Sequence, residues 1–155
     1  MRELFLIRGA AALYGAATLL SFLYLFAKEE KWSRWMLRLL TGGLILHLAS
    51  FALRLQAFWA FPENRFYVPI NSLFGALSFF ALATALVFFL VEREHRLGIL
   101  GAFVLPWTFI GAGAAAYCDP TVSALSPDLR SAWLNVHPLL LMAAYAIFGN
   151  AFGVG

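Results

Sequence analysis

Apolar and polar residues follow one another along this chain in long blocks. The apolar blocks are Leu4–Ala27, Leu39–Phe58, Val68–Val91, Leu97–Tyr117 and a run that begins near Trp133 and continues to Gly155. A helix that crosses a bilayer needs about 20 apolar residues, because each residue rises about 1.5 Å through about 30 Å of hydrocarbon. The pattern therefore predicts an all-α fold, a polytopic integral membrane protein of about five transmembrane helices. Residues 1–155 form a single transmembrane domain, since the longest polar connection runs only from Cys118 to Ser131. The last run meets the end of the chain without a basic flank or polar tail, an ending that predicts truncation.

Composition agrees. The chain is 63% hydrophobic and 12% charged, where a soluble domain carries about a quarter charged residues. The first run is too long for a signal-peptide core and lacks a convincing small-residue cleavage site, so it is expected to remain. A single Cys118 excludes an internal disulfide. Gly/Ala-rich patches such as Gly111–Ala116 suit close helix contact in lipid.

The net charge of +3 carries its meaning loop by loop. Lys28, Lys31, Arg34 and Arg38 lie in the first connection, and Arg93 and Arg96 in the third. The second and fourth hold only Arg65 and Arg130. Six basic residues against two, or three with Arg2, put the first and third connections in the cytoplasm and the N-terminus outside. Trp59, Tyr67, Tyr117 and Trp133 then fall at the outer interface, where amphipathic rings prefer to sit.

Candidate chemistry centres on His137. It is expected about one turn inside the outer end of the fifth helix, on the same face as Trp133 four residues earlier. Ser131 is the expected N-cap, and Pro138 the kind of residue tolerated in a first helical turn. An imidazole there is able to ligate a metal including haem iron, to transfer protons, or simply to bond a neighbour. His47, near the bilayer centre, is either a haem ligand or a neutral structural imidazole bonded to another helix. Arg54, two turns further on, meets a haem propionate or snorkels to the headgroups. Arg8 is expected to snorkel, and His95 to be a solvated loop residue. Trp133 packs on a porphyrin face or is a plain interfacial anchor.

The tract Leu129–Tyr145, LRSAWLNVHPLLLMAAY, resembles the L-x-S-x-W-L-x-x-H segment of cytochrome c assembly proteins of the CcsA/ResC type, through Leu129, Ser131, Trp133, Leu134, His137 and Tyr145. Val68–Ala81 and Arg96–Pro106 are similar to two further stretches of that family. The resemblance implies a haem-handling component of system II cytochrome c maturation. Such a protein presents haem b at the outer membrane face for attachment to apocytochrome c, with His137 as one axial ligand of the haem iron. It also implies a membrane partner subunit of the ResB/CcsB type, apocytochrome c as a second partner, the lipid bilayer as surroundings, no nucleic acid, and a place in the bacterial inner (plasma) membrane. The family's tryptophan-rich signature, its second external histidine and the intramembrane histidine of its C-terminal half are absent from this sequence. The resemblance is thus to an N-terminal portion, belonging to cytochrome c synthase machinery but not expected to be catalytic as this chain. Gly75 stands where the family often has Glu, and Pro138 where it usually has Val.

Two other readings stay open. One is a cofactor-free membrane anchor or regulatory subunit of the haem-biosynthesis-associated type. The other is a b-type cytochrome subunit, which needs paired histidines on facing helices at matching depth; His47 and His137 are expected at different depths.

The charge asymmetry yields a first prediction. Reporter fusions at Ala60 and at Glu94 should score outside and inside respectively, and the reverse result would overturn the orientation.

Overall fold

The computed structural model describes residues 2–154, with side chains omitted for 132, 134, 135 and 154. Gly155 and the side chain of Leu134 in the histidine tract lie outside the described residues. Five long helices follow in order: α1 (Arg2–Ala27), α2 (Glu30–Trp59), α3 (Leu73–His95), α4 (Gly101–Ala115) and α5 (Ala132–Val154). α1, α2, α3 and α5, and α4 together with the 3-10 turn Gly98–Leu100 before it, each contain a stretch long and apolar enough to cross a membrane, so the chain is a multi-pass membrane protein. Among the described residues there is no strand.

The boundaries differ from the apolar blocks in ways that local chemistry explains. α2 begins nine residues before Leu39, so most of the basic first connection is helical. The segment Glu30–Arg38 contains good helix formers and no Gly or Pro. Its tryptophans also find cations along the helix, with Arg38 4.7 Å from the Trp35 ring centre and Lys31 5.0 Å from that of Trp32. α3 starts later than expected, because Pro69 disfavours helical geometry in the residue before it. The helix opens after Ser72, whose Oγ accepts from the Gly75 N–H at 3.1 Å. Pro138 is not in the first turn of α5 but at its seventh residue. There it leaves a carbonyl one turn earlier without its helical partner.

Without a hydrophobic force between helices in lipid, association depends on close packing. The main core accordingly uses small residues. Ala10, Ala11 and Ala17 of α1 meet Met36, Leu40 and Leu44 of α2, Ala81, Ala85 and Phe88 of α3, and Val104, Leu105 and Ala112 of α4. Within the Gly111–Ala116 patch, Gly111 approaches Ala81 so closely that an added Cβ would lie 3.2 Å from that residue's Cβ. Among the described residues α5 contributes nothing to this core. It packs chiefly on α3, where Asn150 donates to the Thr84 carbonyl at 3.4 Å, and its Gly153 lies close to Phe103 and Val104 of α4.

Connections gather at two ends. The loops 60–72 and 116–131 meet each other at one end, while Gly98 packs against Ser33 and Tyr24 at the opposite end. That grouping is the one an alternating up-and-down path requires.

Gly75 is required by the path of the loop before α3. A Cβ there would sit 1.9 Å from the Pro69 carbonyl oxygen, a backbone atom unable to swing aside. The carboxylate often found at this place in the resembling family is thus sterically excluded while the loop keeps this course. Gly75→Ala should lower the thermal unfolding midpoint of the detergent-solubilised protein by several degrees or cut its membrane yield. An unchanged midpoint and yield would show that the loop takes another path.

Candidate functional site

His47 and Arg54 anchor two polar centres inside the bundle, and His137 marks one on its surface. The deepest is His47, fully buried in the middle of α2. Its Nδ1 is 3.2 Å from the Tyr14 hydroxyl on α1, and its Nε2 is 3.0 Å from Ser78 Oγ on α3. Gly43, one turn before His47, admits the Tyr14 ring, since a Cβ there would lie 2.7 Å from it. Both ring nitrogens are therefore engaged by hydroxyls, and neither is free for iron in this arrangement.

Arg54, two turns further along α2, forms the second centre. It does not snorkel. Its residue is only 2% exposed. One terminal nitrogen donates to the Pro120 carbonyl at 3.0 Å and the other to Ser72 Oγ at 2.9 Å. Glu3 lies 3.6 Å away, and the guanidinium sits 4.4 Å from the centre of the Phe74 ring. Both terminal nitrogens are thus committed to protein partners, while Nε is buried without one. In the loop beside it, Thr121 donates from its hydroxyl and its backbone N–H to Asp119 Oδ1, which holds that exposed carboxyl below its ordinary range.

The third centre is His137, the sixth residue of α5, close to the loops 60–72 and 116–131. It is exposed, and so is Trp133, at 67%. Their rings stack with centres 5.3 Å apart and planes 24° apart, as the four-residue spacing predicts. Ser131 immediately precedes the helix. The pair offers a donor nitrogen beside a broad aromatic face. Among the described residues, no three His, Cys, Asp or Glu side chains gather to hold a metal. His95 and Arg8 are exposed, as expected of a loop-end histidine and a snorkelling arginine.

Comparison with known proteins gives a consistent result. The chain is 28% identical over 129 residues to the cytochrome c biogenesis protein CcsA of Heterosigma akashiwo, an alignment covering 75% of this chain and 40% of the relative. It is 32% identical over 107 residues to the CcsA of Prochlorococcus marinus, covering 66% and 33%. It is 33% identical over 116 residues to that of a Synechococcus species, covering 68% and 37%. The chain belongs to the CcsA-type cytochrome c biogenesis proteins. It spans between a third and two fifths of the length of these curated relatives. No family model matches the sequence, and no solved structure matches it significantly.

Sequence reasoning missed the partners of this CcsA-type chain's buried groups. For Arg54 a signal existed: Glu3 carries the opposite charge at the same end of the neighbouring helix. For His47 none pointed to Tyr14 or Ser78, because that choice depends on how α1 and α3 rotate about their axes. His47→Gln should leave the protein in the membrane with the haem content of its assembled complex unchanged, since Gln still hydrogen-bonds but is a poor iron ligand. Loss of haem absorbance at constant protein would overturn the structural role of His47.

Proposed function

We propose that this chain is a haem-handling component of system II cytochrome c maturation, and that His137 is one axial ligand of the haem presented to apocytochrome c. One observation carries the reading. Of the three histidines, His47 has both nitrogens bonded within the protein and His95 is exposed at the opposite end of the bundle, whereas His137 is exposed beside the loops 60–72 and 116–131 and stacked on Trp133. Names borne by relatives support the same direction.

Haem is substrate here, and its iron needs imidazole while its propionates need water. The end of α5 beside the loops 60–72 and 116–131 meets both needs. Trp133 offers a face for the porphyrin edge, and the helix fixes the imidazole relative to it. The Lys/Arg asymmetry assigns that end to the outside, with the N-terminus also outside and the bacterial plasma membrane as the location. A second axial ligand comes from beyond these residues, and a membrane subunit of the ResB/CcsB type is the expected partner. The chemistry assigned to the chain is coordination and orientation. The new bonds join haem vinyl groups to the two thiols of an apocytochrome CxxCH, with iron and thiols both reduced.

The test is His137→Ala in membranes that also hold the maturation partners. Haem retention should fall by at least about tenfold, cytochrome c maturation should be lost, and added imidazole should restore part of both by occupying the vacated coordination position. A variant that retains haem and matures cytochrome c normally would exclude axial ligation and favour a cofactor-free anchor.

A further inference from the structure

His137 sits on a part of α5 that side-chain packing barely holds. Among the described side chains from Trp133 to Tyr145 none is buried, and burial begins only at Ala146. A cavity of about 200 Å³ separates this stretch from the loops beside it, lined by Tyr67, Leu125, Leu129 and Pro138 among others. The inner half of the helix is fixed by contact with α3. Its outer half depends on how the chain leading into it is held.

Hydrogen bonds hold that lead-in. Asn64, fully buried, donates from Nδ2 to the Ser123 carbonyl at 2.9 Å and accepts from the Leu125 N–H at 2.7 Å. Arg130 donates to the Leu125 carbonyl from Nε at 3.0 Å and from a terminal nitrogen at 2.8 Å. Tyr67 donates its hydroxyl to the Arg130 carbonyl at 2.6 Å, and its own carbonyl accepts from Trp59 Nε1 at 2.8 Å. The set runs from the last residue of α2 to the residue two before α5. Phe66, next to Tyr67, adopts φ 73° although it is bulky and 81% exposed. Such a backbone is unfavourable for a large side chain and gains nothing here from burial. It aims the following tyrosine across to the other loop.

We propose that Tyr67 is a positioning residue for His137: its hydroxyl, bonded to the Arg130 carbonyl, fixes the outer end of α5 and with it the Trp133–His137 pair. The inference rests on the ligand reading of His137. From Arg130 to His137 is seven residues, of which the stretch from Ala132 on is roughly 7.5 Å of helix, so a small swing at the tether displaces the imidazole, and a ligand tolerates only about 0.5 Å.

Tyr67→Phe keeps the ring and deletes the donor. It is read as haem per unit of membrane-inserted protein, with the maturation partners present, so a change in abundance does not confuse it. Haem retention should fall about fivefold, the worth of one hydrogen bond, with the absorbance shifting towards a five-coordinate form and returning on addition of imidazole. In a His137→Ala background Tyr67→Phe should add nothing. Normal retention in Tyr67→Phe beside loss in His137→Ala would overturn the positioning role and leave the ligand reading intact. Normal retention in both would remove the ligand reading and this one with it. A further loss in the double variant would show that Tyr67 acts other than through His137, and would also overturn the proposal.

Discussion

The end of this bundle that carries the loops 60–72 and 116–131 is organised by one buried cation. A guanidinium removed from water is costly unless its hydrogen bonds and its charge are met nearby. Arg54 meets its charge and the donors of both terminal nitrogens with atoms from three different parts of the chain, while its Nε is left without a partner. Glu3 comes from the start of α1, Ser72 from the cap of α3, Pro120 from the loop after α4, and Phe74 from the first turn of α3. Because Ser72 also accepts from the Gly75 N–H, the side chain that starts α3 is the same one that binds Arg54. Loss of the guanidinium would leave the Glu3 carboxylate half-buried without its counter-charge, and Ser72 would keep only its capping bond. In lipid no water is present to substitute, so the pairing fixes which helix ends lie together.

Polar groups are thus used in two ways in the same membrane domain. Those at the bundle centre, Tyr14, His47 and Ser78, satisfy one another and tie α1, α2 and α3 at mid-depth. Such bonds in membranes are worth about 0.6 kcal/mol each on average, so their larger effect is to set helix rotation. His137 is different, since it stands exposed on a stacked tryptophan. The interior imidazole is consumed by structure, and the exposed one is left without such partners among the described residues.

α5 stands apart from the other four helices. Among the described residues it has no share in the main core, and Pro138 in its first half borders a cavity. Its exposed side carries Leu140, Leu141, Tyr145, Phe148 and Phe152. A helix held at one end by packing and at the other by a hydrogen-bonded loop keeps a defined direction while leaving one side open.

The sequence by itself determined that the chain forms about five apolar helices, that their ends alternate, and that Trp133 and His137 share a face. These are local properties. Membrane crossing is decided within about 20 residues, and a four-residue spacing fixes a helical face without reference to anything else. Reading Leu39 as the start of the second helix failed because interfacial helix is polar, and hydropathy alone does not see it. The tertiary structure decided the rest. It turned Arg54 inward, gave both nitrogens of His47 to Tyr14 and Ser78, made Gly75 obligatory under Pro69, and joined Tyr67 to Arg130. Except for the Gly75 contact, these pairings join residues far apart in the chain, as with the 66 positions between Arg54 and Pro120 or the 63 between Tyr67 and Arg130. Partners at such separations are chosen by the rotation and depth of packed helices, which no single segment encodes.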